Sequence, residues 1–442
     1  MRNTLSNLSN MFRVPDLRNK VLFTLMIIVV FRVGSNIPAP GIAYNTLIEY
    51  ASGSGGKSPG ASGFLNLFTG GALTRFAVFG LGIMPYITAM IIVQLLGVVI
   101  PKFEQWRDEG ATGEKKLTQT TRYMSLALGL LQSTGLAYAF HSGSSTLFGT
   151  SGGSTPDFLP HFDIPHVLLI VLTMTAGTGV AMWMSELITQ RGVGQGASVL
   201  IFTNVVAGIP GGGQGIWAGT KWWQFALIVI AFFAVIAAIV FIEQGQRRIP
   251  VTFAKRVVGR RMYGGQTTYI PMKVNTAGVV PIIFATSVMF FPTLLSQVLP
   301  NHGTWETVQN WVNTKLVNPS SIYYIIIFGL LIFGFAYFYA AITFDSHRHA
   351  DQIRKQGGYI PGIRPGPPTE RHLQTILNRV TFPGALWVCV VAEVPALVLL
   401  AFHVNNYPFA GVTLLIAGGV CLETMKQIDS QLMMRNYEGF LK

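Results

Sequence analysis

The chain has 442 residues, of which 50% are apolar and only 11% are charged, and its mean hydropathy is positive. Soluble domains carry about a quarter charged residues, so this composition excludes an ordinary water-soluble protein and predicts a helical membrane protein. The formal net charge of +13 must then lie in the segments outside the membrane.

Apolar runs long enough to cross a bilayer recur along the chain. They predict ten membrane spans, over residues 21–36, 75–100, 118–140, 165–186, 196–210, 222–243, 274–297, 321–344, 381–402 and 407–428. Residues 1–20 are expected to lie on the cytosolic surface or to form a disordered tail. A cleaved signal peptide over 1–40 fits poorly, because it would place prolines at the cleavage site.

The basic residues give the orientation of these spans. Most of the 31 lysines and arginines fall before the first span, after the even-numbered spans, or after the last span. The other loops hold only Lys57, Lys221 and Lys315, while Arg32 and Arg75 lie at span ends. The positive-inside rule therefore places both termini in the cytosol.

Two apolar spans contain a Gly-x-x-Pro element followed by isoleucine. The elements are Gly82-Ile83-Met84-Pro85 in the second span and Gly278-Val279-Val280-Pro281 in the seventh. Matching helix breaks in two halves point to the functional centre of an inverted-repeat membrane protein. The sequence thus predicts two halves of five spans, although two unrelated proline kinks remain an alternative.

Apolar residues at helical spacing accompany these breaks. Ile83 and Ile87 share one helix face, as do Ile283 and Ser287, and as do Ala197 and Ile201 in the fifth span. An apolar ring can close a pore by excluding water, without any charge. The alternative for each isoleucine is an ordinary core or lipid-facing position.

A short apolar segment precedes the second span. It comprises Phe64, Leu65, Asn66, Leu67 and Phe68, and it is separated from the following helix by Gly70 and Gly71. The segment is too short to cross the bilayer, so it either lies at the interface or re-enters the protein as a half-helix. A re-entrant segment could block a pore from its non-cytosolic side.

Two long cytosolic loops, over residues 244–273 and 345–380, are rich in basic side chains. The first alternates around Ile249, Val251 and Phe253, which predicts a strand or hairpin. The second is dense in proline and glycine, which predicts that Arg364 lies on a stiff turn without regular structure. Clusters of basic residues suit RNA phosphates, anionic lipid or an acidic protein surface.

Few polar residues lie at membrane depth. Gln94 and Asn275 are expected to hydrogen-bond across a helix seam, and Glu393 is the one acid predicted well inside the membrane. The glycines of 192–196 lack the strand and helix context of a nucleotide site. We find no arrangement of catalytic residues, so the sequence predicts neither an enzyme nor a cofactor.

These residues resemble the SecY/Sec61-alpha family of protein-conducting channels along essentially the whole chain. The stretches that carry the resemblance are Phe68-Thr69-Gly70-Gly71-Ala72-Leu73-Thr74-Arg75, Leu81-Gly82-Ile83-Met84-Pro85-Tyr86-Ile87, Gln190-Arg191-Gly192-Val193-Gly194-Gln195-Gly196, Lys273-Val274-Asn275-Thr276-Ala277-Gly278-Val279-Val280-Pro281 and Pro361-Gly362-Ile363-Arg364-Pro365-Gly366. The resemblance implies an all-helical fold with ten transmembrane helices, arranged as two inverted halves (21–210 and 222–428) around an hourglass pore, with a cytosolic tail over 429–442.

The resemblance also implies the functional parts. The pore ring would comprise Ile83, Ile87, Ile201, Ile283, Ser287 and Ile416, and the plug would be a half-helix over about 62–73. The lateral gate would lie between spans two and three and spans seven and eight, with Gln94 and Asn275 on its seam. Docking residues on the cytosolic loops would be Arg247, Arg248, Lys255, Arg256, Arg260, Arg261 and Arg364.

The implied partners are the small membrane subunits SecE and SecG, the motor ATPase SecA, the ribosome, preproteins with signal sequences, and membrane lipid. The implied location is the bacterial plasma membrane. A secondary solute transporter with the same inverted repeat is the alternative, but it would need more polar groups at the membrane midplane than this chain supplies.

Overall fold

The computed structural model of the protein describes residues 14–42, 69–73, 75–141, 163–219, 221–253, 256–258, 261–263, 267–298, 311–317, 321–401 and 411–440. Each of the ten predicted spans contains a helix. The helices are α1 (Pro15–Gly34), α2 (Met84–Val99), α3 (Pro101–Asp108), α4 (Ala111–His141), α5 (Ile164–Arg191), α6 (Gly196–Gly219), α7 (Trp222–Glu243), α8 (Val280–Val298), α9 (Ile322–Thr343), α10 (Ser346–Lys355), α11 (Pro367–Ala401) and α12 (Gly411–Phe440). A short π-helix covers Val312–Val317.

Long apolar helices identify the membrane-spanning part of the described chain. Four stretches, beginning at Ile164, Trp222, Ile322 and Pro367, are individually long and apolar enough to cross a bilayer, and α2 with α3 forms a fifth candidate bent by 99°. The helices α7 and α9 expose large apolar side chains, with Phe241 80% exposed and Leu330 69% exposed. Such faces suit contact with lipid rather than with water.

Both Gly-x-x-Pro elements form the same local structure, and it differs from a break within a helix. Gly82 and Gly278 adopt left-handed backbone angles, with φ of +57° and +59°. The helix begins two residues later in each case, at Met84 and at Val280, with the proline as its second residue. The missing amide of proline costs nothing in the first turn of a helix, so the two elements are matched helix starts.

The helices extend beyond the predicted spans at the two ends of the chain. The helix α1 already begins at Pro15, so the last residues of the predicted surface segment 1–20 belong to the first span's helix. The helix α12 continues to Phe440, so the predicted tail 429–442 is largely helical. Neither extension is a continuous apolar run. Hydropathy alone therefore placed the start of the first span after the start of α1, and the end of the last span before the end of α12.

The two cytosolic loops join in one small sheet. Strand β1 (Gln246–Phe253) pairs antiparallel with β4 (Thr267–Lys273). Between them in sequence, β2 (Arg256–Val258) and β3 (Arg261–Tyr263) form a separate two-stranded sheet. The other edge of β1 pairs with β5 (Gly358–Tyr359) from the second loop, giving the order β4-β1-β5. The predicted hairpin is therefore confirmed, whereas the predicted lack of regular structure around residue 358 is wrong for these two residues.

Alternation on β1 places one side of this sheet against helices. Ile249 and Val251 are buried and pack in a separate cytosolic core with Ala350 and Ile353 of α10 and Leu373 of α11. Side chains two apart on a strand share a face, so the intervening residues of β1 point away from that core. The sheet thus holds the cytosolic ends of the second half in one unit.

Candidate pore, plug base and lateral gate

The five isoleucines of the predicted ring lie in one buried apolar cluster. Exposure is 1% for Ile83, 2% for Ile87, 1% for Ile201, 7% for Ile283 and 0% for Ile416. They come from the start of α2, from α6, from α8 and from α12, and so from both predicted halves. The structure therefore brings residues more than 300 positions apart into one apolar centre.

Ser287 is the polar member of the predicted ring. Its side chain is 6% exposed, and its hydroxyl donates to the carbonyl oxygen of Ile283 on the same helix at 2.8 Å. A hydroxyl bonded back to its own helix offers little free hydrogen-bonding capacity to water. Ser287 consequently weakens an apolar seal less than its residue type alone would indicate.

The described part of the predicted plug is its base. Phe64, Leu65, Asn66, Leu67 and Phe68 lie outside the described residues. Gly70 and Gly71 adopt φ angles of +62° and +84°, a turn that favours glycine. Thr69, Ala72 and Leu73 around them are at most 4% exposed, so the plug base is firmly packed.

The segment after the plug base is tied to the end of α1. The amide of Ala39 donates to the carbonyl of Phe76, and the amide of Val78 donates to the carbonyl of Ile37, at 2.8 and 2.9 Å. The Phe31 and Phe79 rings stack with centroids 5.4 Å apart. This strand-like pairing fixes the irregular segment that leads into α2.

Of the two predicted seam residues, Gln94 and Asn275, the second forms hydrogen bonds to described residues. The side-chain amide of Asn275 donates to Glu243 Oε1 at 2.8 Å and to the carbonyl of Gly278 at 3.1 Å. Asn275 precedes α8 beside the end of α7, so its bonds stay within the second half. Gln94 is half-buried on α2, and within the described residues no hydrogen bond joins it to Asn275.

Helix contacts, rather than this polar pair, define the seam between the halves. The helix α8 packs against α4 and against α2. These are the helices of spans two, three and seven, between which the lateral gate was predicted. The contacts of α8 with α4 and α2 thus join the first half to the second.

The predicted docking residues divide into three groups. Arg247, Arg248 and Arg364 are exposed on the cytosolic unit, which comprises the strands β1 to β5, α10 and the start of α11. Arg256 and Arg261 lie on the paired strands β2 and β3, and Lys255 and Arg260 lie outside the described residues. Left-handed glycines at 362 and 366 flank Arg364, and its carbonyl accepts from the Thr369 hydroxyl at 2.8 Å. Arg364 is thus presented on a fixed turn, as predicted.

An ion-pair network at the cytosolic surface was not predicted. Arg348 on α10 pairs with Asp108 at the end of α3, and His347 Nδ1 lies 3.0 Å from Glu370 Oε2 on α11. The hydrogen bond to Glu370, aided by the charges of Glu370 and Asp351, raises the pKa of the fully exposed His347 above its usual 6.5. Contacts between such distant loops leave no signal in hydropathy.

Glu393 is the predicted intramembrane acid. It is half-buried on α11, and no hydrogen bond from a described residue reaches its buried Oε1. One turn earlier, the Cys389 thiol donates to the carbonyl of Gly329 on α9 at 3.3 Å, so this face of α11 packs on α9. Among the described residues, no group of three metal-ligating side chains occurs.

The glycine-rich turn between α5 and α6 is a packing element. The amides of Val193, Gly194 and Gly196 donate to the side chains of Thr24, Gln427 and Thr189. A Cβ on Gly196 would lie 1.8 Å from the carbonyl oxygen of Ser185. The turn therefore joins α1 and α12 to the junction of α5 and α6, and these three amides are already bonded to protein side chains.

The architecture is that of a multi-spanning helical membrane protein whose two halves meet around an apolar centre, with a basic cytosolic unit on one face. The SecY family profile matches residues 77–425. The chain is 47% identical to the protein translocase subunit SecY of Streptomyces galbus, and the match covers 98% of each chain. The chain is also 47% identical to the protein translocase subunit SecY of Mycobacterium tuberculosis strain H37Rv, and that match covers 99% of this chain and 100% of the relative. The chain belongs to the SecY family.

Solved structures with the same fold are protein-conducting channels. One is described as the structure of a protein-conducting channel, with a TM-score of 0.60 and 15% identity, covering 95% of this chain and 96% of the other. Another is Sec61 in the canine ribosome–channel complex, with a TM-score of 0.59, 15% identity and the same coverage. At this identity the likeness shows the fold alone, which is that of a multi-spanning helical membrane protein.

Proposed function

We propose that the chain is the channel subunit of a protein translocase in the bacterial plasma membrane. It conducts unfolded secretory polypeptides across the membrane and releases signal and transmembrane helices sideways into lipid. The observation that carries this proposal is the convergence of five isoleucines from α2, α6, α8 and α12 in one buried cluster. A solute carrier would instead need polar groups at this centre.

The closed state follows from the chemistry of this ring. Water confined between apolar side chains loses hydrogen bonds, so a narrow isoleucine constriction stays dry and blocks ions. An apolar collar also makes no sequence-specific hydrogen bonds with a passing polypeptide. The ring can therefore fit around many side chains, which a channel for unfolded proteins requires.

Opening begins at the seam between α2, α4 and α8. A signal helix is apolar and partitions between these helices, where it replaces their mutual apolar contacts. The two halves then separate, the ring widens, and the plug segment leaves the pore. The same opening gives the signal helix access to lipid.

Energy comes from partners that bind the cytosolic unit. Arg247, Arg248 and Arg364 present exposed guanidinium groups, which suit ribosomal RNA phosphates or an acidic surface on the motor SecA. The small subunits SecE and SecG complete the complex in the membrane. The chain itself binds no nucleotide and carries out no covalent chemistry.

Transport by the purified complex tests this function. The chain and its small partners would be reconstituted in vesicles with SecA, ATP and a signal-bearing preprotein, and the protease-protected preprotein would be measured. A preprotein with an arginine in the apolar core of its signal serves as the control. Protection of the first preprotein alone supports the proposal. If neither preprotein is protected while the vesicles accumulate a labelled solute, the chain is a transporter.

A further inference from the structure

Arg32 is a positive charge on the side of the membrane where the orientation predicts few. It lies in the last turn of α1, half-buried, at the non-cytosolic end of the first span. No carboxylate of the described residues forms an ion pair with it. Positive charges are biased toward the cytosol, so an arginine at this place needs a structural or functional reason.

Two backbone carbonyls take the place of a counter-ion. Nη2 of Arg32 donates to the carbonyl of Thr203 at 3.0 Å, and Nη1 donates to the carbonyl of Gly70 at 3.4 Å. The guanidinium is planar and presents its donors as a fixed fork, so one side chain can bind both oxygens. Arg32 consequently joins three elements, which are α1, the plug base and α6.

The plug base is shaped to receive this side chain. A Cβ on Gly70 would lie 2.8 Å from Arg32 Nη1 and 2.9 Å from Asn204 Oδ1, and Gly70 also has a φ of +62°. The backbone angle therefore favours glycine here, and a Cβ would have to displace the ends of the Arg32 and Asn204 side chains. A larger residue would push the guanidinium away from the plug base.

Thr203 lies two residues after Ile201 of the proposed ring on α6. A displacement of the plug base, or of α6 as the ring widens, must break the fork. We propose that Arg32 is a latch that holds the plug base against α6 in the closed channel. The inference rests on the proposed function, since it needs the segment before Gly70 to be the plug.

The chemistry of the latch makes it reversible. Hydrogen bonds from a charged donor are stronger than neutral ones, so the fork favours the closed arrangement. When the pore opens, water can solvate the released guanidinium and both carbonyls. A buried carboxylate partner would hold the plug far more tightly, because breaking such a pair leaves an uncompensated charge.

Resting ion conductance tests the latch directly. The complex of the chain with its small partners would be placed in planar bilayers as wild type, Arg32→Gln, Arg32→Lys, and a deletion of residues 64–71. We expect Arg32→Gln to raise the open fraction by roughly tenfold or more, because it removes both charge-assisted hydrogen bonds of the fork. Arg32→Lys should leak less than Arg32→Gln, because an ammonium keeps the charge but lacks the fork.

Arg75→Gln is the matched control for charge. Arg75 lies at the same side of the membrane and is exposed, and it donates to the side chain of Asn36 rather than to the plug base or α6. Its replacement should leave the resting conductance unchanged. Equal leaks from Arg32→Gln and Arg75→Gln would overturn the latch in favour of a general charge effect.

Gly70→Ala and thermal unfolding separate the latch from misfolding. Gly70→Ala should leak like Arg32→Gln, because its Cβ displaces the guanidinium. Both variants should unfold within a few degrees of wild type. If the deletion of residues 64–71 raised the resting conductance but Arg32→Gln did not, the latch would be overturned while the plug assignment would stand. A silent deletion would overturn the plug itself, and with it the proposed function.

Discussion

At the residue scale, burial alone does not identify the residues of the pore. Ile188 on α5 and Ile201 on α6 belong to the same apolar cluster, and they are 0% and 1% exposed. Only Ile201 belongs to the proposed ring. The two residues are therefore a matched pair that separates a packing role from a sealing role.

Replacing Ile201 with serine should open the seal. A hydroxyl in the ring lets water enter the constriction, so resting ion conductance in planar bilayers should rise. Ile188→Ser should cost about 2–4 kcal/mol of stability through the cavity and the buried hydroxyl, without a rise in conductance. Equal leaks from both variants would show that any loosening of the core opens the pore, and would contradict a defined ring.

At the element scale, the matched starts of α2 and α8 carry the strongest sign of an internal repeat. Gly82 and Gly278 differ by only 2° in φ, each two residues before a helix whose second residue is proline. Backbone angles of this kind are costly for residues with a side chain. The two halves thus use one device to begin the helices that flank the pore.

Gly278→Ala should destabilise the protein through the backbone alone. Its Cβ would meet nothing within 4 Å, so the cost is the strain at a φ of +59°, about 1–2 kcal/mol. Gly334 on α9 also has open space but sits within a helix, so Gly334→Ala should stabilise by up to about 1 kcal/mol. Thermal unfolding midpoints in detergent should shift in opposite directions. A Gly278→Ala midpoint at or above that of wild type would refute the strain.

The contact between α10 and α11 should depend on pH. Glu370 raises the pKa of His347, so the folded state favours the imidazolium. This stabilisation is fully present below the ordinary histidine pKa and is lost as the pH rises through the raised value. Hydrogen exchange over residues 346–370, corrected for intrinsic rates, should therefore quicken as the pH rises above the ordinary histidine pKa of 6.5 and through the raised value. The His347→Gln variant should lack this change, and an identical pH response in both proteins would exclude His347 as its source.

At the scale of the whole molecule, sequence patterns predicted the helices better than the contacts between them. Apolar run length predicted ten spans, each of which contains a helix, because the bilayer imposes a minimum length on each span. The alternation around Ile249 likewise predicted β1, since one face of that strand is buried. Local patterns succeed wherever the environment acts on neighbouring residues.

Contacts between distant segments could not be predicted. Asn275 bonds to Glu243, 32 positions away, and Arg32 bonds to Thr203, 171 positions away. No periodicity links such partners, so neither the bond of Asn275 to Glu243 nor that of Arg32, which was predicted only to lie at a span end, could be predicted. The ring isoleucines were predicted from helical spacing together with the family resemblance. Burial could not have distinguished them, because it is common to most isoleucines.

The central claim is that a polypeptide passes through the isoleucine ring, and disulfide trapping tests it most directly. In a variant with Cys389 and Cys421 replaced by serine, a single cysteine would be placed at Ile87 in the ring or at Leu330, which is 69% exposed on α9. A preprotein with one cysteine would be arrested in transit and oxidised. We predict a disulfide adduct with the cysteine at position 87 and none with that at position 330. Adducts at position 330 alone, or at neither position during active transport, would contradict passage through the ring.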